Sequence, residues 1–102
     1  MDEVKFIENA DGSLRFALSG DIDLGNADEF YKTVLAEYKK SPSDICFDCK
    51  DLNFIDSTTL GTFVKIFKTV KSDGHTLKLS ALQPKIKKLF VICSLDSIME
   101  IA

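Results

Sequence analysis

The stretch that most constrains the fold is Phe54-Ile55-Asp56-Ser57-Thr58-Thr59-Leu60-Gly61, where a strand pattern gives way to a helix pattern without a linker. Ile45 to Asp48 or Cys49 is rich in strand formers and reads as an interior strand. Asp51 to Ile55 continues it less regularly. After the Ser/Thr cluster, Leu60, Phe63, Val64, Phe67 and Val70 recur at helical spacing, with Lys65, Lys68 and Lys71 elsewhere on the helix. A hydroxyl at such a junction meets the unpaired backbone N–H groups and partial positive charge of a helix start. It is either a helix cap or a site where a phosphate is attached and read.

The rest of the chain repeats this alternation. Val4 to Glu8 reads as a short strand, Asp11-Gly12 as a hairpin turn, and Leu14, Phe16 and Leu18 as the apolar face of a second strand. Gly20 ends that strand, and Asp21-Ile22-Asp23 forms an acidic loop. Asn26 and Glu29 have capping-box spacing. They open a helix on which Ala27, Phe30, Tyr31, Val34, Leu35 and Tyr38 form the buried stripe, and Lys39, Lys40 and Pro42 mark its end. Asp73-Gly74 stops the helix that follows the junction. Thr76 to Leu79 is a brief strand. Pro84 suits the first turn of a third helix with a stripe of Ile86, Leu89, Phe90 and Cys93. Ile98 to Ile101 is a candidate last strand.

The expected fold is therefore α/β, with element order β-β-α-β-α-β-α-β and helices packed on a mixed, mostly parallel sheet of four to five strands. The first strand is antiparallel to the second through its hairpin, and strands two, three and four are parallel. Sites in such sheets gather beyond the carboxyl ends of the strands. That edge collects Asp21, Asp23, Asp56 and Ser57, bringing together two acidic loops that lie far apart in sequence.

Bulk properties narrow the function classes. A chain of 102 residues is a single domain, 1–102. Thirteen basic against sixteen acidic residues give a net charge of −3, which argues against nucleic acid as a partner. No apolar run suggests a membrane span, and the acidic start Asp2-Glu3 is unlike a secretory signal. A cytoplasmic protein is expected. Three cysteines make a disulfide framework unexpected. Cys46 and Cys49 have CxxC spacing but fall on a strand, where residues three apart face opposite ways. A redox pair needs a helix start, so these two and Cys93 read as packed side chains. His75 is the sole histidine and lacks ligand partners, so no metal, cofactor or catalytic dyad is expected. The lysines of the third helix read as a solvated face.

Three pieces in order resemble a known family. Gly20-Asp21-Ile22-Asp23 before a helix, Asp51-Leu52-Asn53-Phe54-Ile55-Asp56-Ser57-Thr58-Thr59-Leu60-Gly61, and Pro84-Lys85-Ile86-Lys87-Lys88-Leu89-Phe90 look like a STAS domain over essentially the whole chain. The branch they resemble is the bacterial anti-sigma factor antagonists. The resemblance implies that Ser57 is the phosphate acceptor of a partner that is both serine kinase and anti-sigma factor. The unphosphorylated antagonist binds that partner and frees sigma factor, the phosphorylated form lets go, and a serine phosphatase resets the cycle. Asp21, Asp23, Asp56, Ser57, Thr58, Thr59 and Gly61 are the implied partner-binding residues. The family often has glycine where this chain has Thr59, and many members continue past the position of Ala102 into a further helix.

Each of these residues also has a plain structural reading. Ser57 alone reads as an N-cap, Asp56 as a turn or cap carboxylate, and Asp21 and Asp23 as solvated loop acids. Thr58 and Thr59 are alternative acceptors that read better as structural residues of a first helical turn. Two other classes compete with the switch: a constitutive regulatory or scaffold subunit (transporter-associated or stressosome-type), in which Ser57 only caps, and a small α/β enzyme, which requires converging titratable groups.

Overall fold

The computed structural model describes residues 2–10 and 12–101, without the side chains of Asn9 and Ala10. Asp11 of the expected hairpin turn lies outside the described residues. Strands β1 (Val4–Ala10) and β2 (Ser13–Ile22) are followed by helix α1 (Ala27–Lys40), β3 (Asp44–Ile55), α2 (Ser57–Ser72), β4 (Leu77–Ser80), α3 (Pro84–Ile92), a 3-10 turn (Leu95–Ser97) and β5 (Glu100–Ile101). The five strands lie in the order β1-β2-β3-β4-β5. β1 is antiparallel to β2, and β2, β3, β4 and β5 are mutually parallel. The expected mixed α/β sheet is thus present with five strands.

Alternation along the strands puts Leu14, Phe16, Leu18, Ile45, Phe47, Cys49, Leu77 and Leu79 on one buried face. Buried side chains of all three helices, among them Phe30, Val34, Phe63, Ile66, Ile86 and Phe90, join that face in a single core. Its spine is aromatic. Phe47 of β3 lies 5.7 Å from Phe16 of β2, 5.7 Å from Phe30 of α1 and 5.5 Å from Phe63 of α2. Phe63 also meets Phe30 at 5.2 Å and Phe90 of α3 at 5.4 Å, both edge to face. Edge-on packing of this kind adds about 0.5–1.5 kcal/mol per pair beyond burial alone. Phe63 therefore joins α1, β3 and α3 through one ring.

Several local expectations change. β2 does not stop at Gly20. That residue has φ +66, where a side chain would be strained, and the ladder shifts register between Gly20 and Asp21. The strand then resumes, with Asp21 opposite Phe54 and Ile22 opposite Ile55. Asp21 and Ile22 are strand residues, and β3 runs unbroken through Asp51 to Ile55 to match them. On α2 the buried set is Thr59, Leu60, Thr62, Phe63, Ile66 and Val70, while Val64 and Phe67 are only partly covered. Two threonines and Ile66 turn the stripe about the helix axis. α3 ends at Ile92, so Cys93 is its exposed C-cap rather than part of the stripe. The last strand is only Glu100–Ile101, because Leu95–Ser97 turns as a 3-10 helix. Cys46 is half-buried and Cys49 buried, on opposite faces of β3. Burial, with the charge of Asp48 beside it, pushes the Cys49 thiol up to about 12, leaving it inert as a nucleophile at neutral pH.

The amino-terminal edge of the sheet has its own polar fastening. The Tyr38 hydroxyl donates to Asp73 Oδ2 at 2.7 Å, joining the end of α1 to the end of α2. Burial, and then this bond and the charges of Asp73 and Asp44, raise Tyr38 to about 12. His75 Nδ1 lies 3.6 Å from Asp44 Oδ1, which also accepts the Thr76 N–H.

Replacing Phe63 by alanine removes contacts to three elements at once. The expected loss is about 3–5 kcal/mol, read from the urea midpoint at constant slope. Loss of under 1 kcal/mol would show that the aromatic spine is not what joins the helices.

Candidate functional site

The site lies at the carboxyl edge of β2 and β3, where two loops meet the first turn of α2. Asp56 is the N-cap of α2, in extended conformation, with its Oδ1 accepting the Thr59 N–H at 3.0 Å. Its other oxygen, Oδ2, accepts the Leu24 N–H at 2.9 Å from a position 32 residues earlier in the chain. One carboxylate thus caps the helix and holds the β2–α1 loop. Hydrogen bonds to the charged form depress the Asp56 pKa below the usual carboxylate range. The Thr59 N–H contributes most, with the Leu24 N–H, the Thr59 hydroxyl and the Thr58 N–H adding to it against partial desolvation.

Thr59 closes the arrangement. It is fully buried, and its hydroxyl lies at hydrogen-bond distance from both the Ile22 carbonyl and Asp56 Oδ1. With one hydrogen it donates to one of them at a time. The β2 terminus, the β2–α1 loop and the start of α2 are therefore fastened at a single point. Glycine at position 59 could supply the N–H but not the hydroxyl bond. Thr59 is a structural residue, as its β-branched character suggests, and its buried oxygen makes it a poor phosphate acceptor.

Ser57 occupies the first helical position and not the N-cap, because the aspartate before it has taken that role. Its side chain is exposed, and among the described residues nothing bonds its hydroxyl. Thr58 is exposed beside it, and its carbonyl accepts the Thr62 hydroxyl at 3.0 Å. Gly61 is also exposed, and a Cβ there would meet nothing within 4 Å. The first turn of α2 thus presents Ser57, Thr58 and Gly61 outward and Thr59 and Leu60 inward.

The acidic loop is more ordered than its composition suggests. Asp23 Oδ1 accepts the Gly25 N–H at 2.9 Å, and the Asp23 carbonyl accepts the N–H groups of Asn26 and Ala27 at 3.1 and 2.8 Å. Asn26 does not form the expected capping box with Glu29. Its side chain faces back into the loop, where Oδ1 accepts the Asp23 N–H at 2.8 Å and Nδ2 donates to the Asp21 carbonyl at 2.9 Å. Asp21 is exposed and Asp23 half-buried. Two apolar side chains on this edge carry no sequence signal of function: Leu24 is 76% exposed and Phe54 48%. Beside Phe54 a shallow depression of about 130 Å³ is lined by Asn53, Phe54, Ile55, Lys85, Ile86 and Leu89. Among the described residues no group of three metal-ligating side chains is assembled, and no helix is long and apolar enough to cross a membrane.

The STAS domain profile matches residues 3–102. The chain belongs to the STAS domain family. This STAS domain is 31% identical over 96 residues to the anti-sigma-B factor antagonist of Bacillus subtilis, spanning 94% of this chain and 87% of that one. Among solved structures, a Thermotoga maritima protein superposes with TM-score 0.84 at 26% identity, over 96% of this chain and 82% of the other. The phosphorylated form of the Bacillus cell fate determinant SpoIIAA superposes with TM-score 0.75 at 18% identity, over 97% and 90%. At that identity the likeness is one of fold.

Two outcomes check this geometry. Thr59→Val keeps the shape and removes the buried hydroxyl bond to the Ile22 carbonyl, for an expected loss of about 1–3 kcal/mol in urea unfolding. A change near zero would remove Thr59 as a fastener. The depressed Asp56 pKa stabilises the fold above the ordinary carboxylate pKa, and that contribution is lost as pH falls through the lower folded value. Stability of the wild type measured on that acidic limb therefore falls with pH more steeply than that of Asp56→Asn. Parallel curves would contradict the assignment.

Proposed function

We propose that this STAS domain is a non-enzymatic anti-sigma factor antagonist acting in the cytoplasm through a phosphorylation-controlled partner switch. Unphosphorylated, it binds a serine kinase that is also the anti-sigma factor, and sigma factor is released. The kinase transfers a phosphoryl group to Ser57, the complex dissociates, and a serine phosphatase restores the hydroxyl. The observation that carries this reading is Ser57 itself, an exposed and unbonded hydroxyl at the first position of a helix already capped by Asp56. Since Asp56 caps, Ser57 is released from the structural duty that serine at a helix start ordinarily performs. The relationship to the Bacillus subtilis antagonist supports the partner class.

The chemistry suits a reversible mark. A phosphate adds roughly −1.5 to −2 charge at neutral pH. Near a helix N-terminus the dipole and free N–H groups tolerate it, while the neighbouring Asp56 carboxylate opposes it. The buried core ends at Thr59 and Leu60, so the added charge stays outside it. Asp21, Asp23, Asp56, Ser57, Thr58 and Gly61 make up the docking surface in this reading, and Thr59 supports it from beneath.

Incubation with the host's anti-sigma factor kinase and ATP is expected to place one phosphate on Ser57, mapped by mass spectrometry, and Ser57→Ala abolishes it. Ser57→Asp weakens kinase binding at least tenfold while the exposed substitution leaves stability within about 0.5 kcal/mol. A wild-type chain that binds its partner equally well before and after treatment with kinase and ATP would instead be a constitutive subunit.

A further inference from the structure

Among the described residues, Leu24 is the most exposed of the large apolar side chains, at 76%. Isolated surface leucines are ordinary, and exposure alone carries nothing. Leu24 differs in how its backbone is held. Every backbone N–H from Asp23 to Ala27 is engaged: those of Asp23, Gly25, Asn26 and Ala27 within the loop and that of Leu24 by Asp56. The loop is also tight, since a Cβ on Gly25 would lie 3.3 Å from Asp23 Oδ1. A five-residue turn with all its backbone N–H donors satisfied holds an apolar side chain out in water, bonded through its own N–H to the residue that precedes Ser57. Such rigidity lowers the ordering cost of binding, which a mobile loop would incur.

The surroundings give the partner's chemistry. Asp21 at the end of β2, Asp23 in this loop, and Asp28, Glu29 and Asp56 at the adjoining helix starts take part in no ion pair among the described residues. A surface with a rigid, exposed apolar side chain among carboxylates that form no ion pair fits a recess that is apolar at its centre and cationic at its rim.

We infer that Leu24 is the apolar anchor by which this chain docks, entering an apolar recess with a lysine- or arginine-lined rim on the kinase/anti-sigma factor, and that Asp56 is the positioning residue that aims it. The inference rests on the switch proposed above for the identity of the partner. It adds a specific contact outside the phosphorylated helix and gives Asp56 a task beyond capping.

The test is titration calorimetry of the full chain against the host's purified kinase/anti-sigma factor, with a non-hydrolysable ATP analogue so that Ser57 stays unmodified. Leu24→Ala is expected to weaken binding at least tenfold with an unchanged melting temperature, and Leu24→Met, which keeps an apolar projection, to restore most of it. Raising salt from 50 to about 300 mM weakens wild type and Leu24→Ala by similar factors, since the carboxylates are common to both. Wild-type affinity in Leu24→Ala overturns the anchor and leaves the phosphoswitch standing. Weakened Leu24→Ala together with full affinity in Ser57→Asp supports the anchor and removes the phosphoswitch. A wild-type chain that does not bind overturns both.

Discussion

The carboxylate of Asp56 is the interaction on which the site depends. A cap needs one oxygen, and Asp56 has two, each aimed at a backbone donor from a different part of the chain. An ionised carboxylate accepts on both oxygens without donating, so it can face two N–H groups at once. Asparagine in its place would turn an amide donor toward one of them. With Thr59 reaching the Ile22 carbonyl, three separate backbone segments become one rigid corner. The exposed side chains around it, those of Leu24 and Ser57 among them, inherit fixed positions from contacts made by backbone groups and by Asp56.

That corner exists because of how the sheet is ordered. Parallel β2 and β3 bring their carboxyl ends to the same edge, and a loop after one can touch the helix after the other. The reach is set by the register shift at Gly20. Without the resumed pairing of Asp21 and Ile22 with Phe54 and Ile55, the Ile22 carbonyl would not lie beside Thr59. The opposite edge is fastened by Tyr38 to Asp73 and Asp44 to Thr76, so each end of the helix layer has an acid holding a donor from another element. Between these ends the aromatic spine does the packing.

Much of this was legible in the sequence, for physical reasons that can be named. Element order, the parallel core and the meeting of the two acidic loops follow from apolar periodicity and crossover rules. The STAS resemblance of the three motifs agrees with the family profile. What misled were positions where tertiary contacts override local preference. Asn26 and Glu29 have capping-box spacing, yet Asn26 is drawn to the Asp21 carbonyl and the Asp23 N–H. Gly20 signals an end, but the pairing continues past it with a register shift in which Asn53 is the extra residue on β3. Thr59 and Thr62 are counted as polar in any hydropathy pattern, and the partners that let Thr59 be buried, Asp56 and a carbonyl 37 residues away, are not part of that pattern. Ser57 was expected at the cap because a serine at a helix start usually goes there, and the aspartate before it competes better by bonding two donors.

The charge pattern constrains how the proposed switch could release its partner. If the docking surface is acidic and the partner's rim cationic, adding a phosphate to Ser57 increases the long-range attraction between the two. Simple repulsion between net charges therefore cannot be the cause of release. The cause has to act at contact distance, where a dianion must shed its hydration to enter a closely packed interface and where the Asp56 carboxylate, which caps the helix through the Thr59 N–H, stands next to it. In the proposed complex Ser57 would then lie with Leu24 in the dry part of the interface, and the exposed acids Asp21, Asp28 and Glu29 toward its wet rim. It also gives the rigid corner a purpose in the switch. A loop free to shift could let the phosphate find a solvated path at the edge, whereas a Leu24 loop fixed by Asp56 would hold the proposed partner close to Ser57. Release would then follow from desolvation against an unyielding surface, with the fold beneath it unchanged.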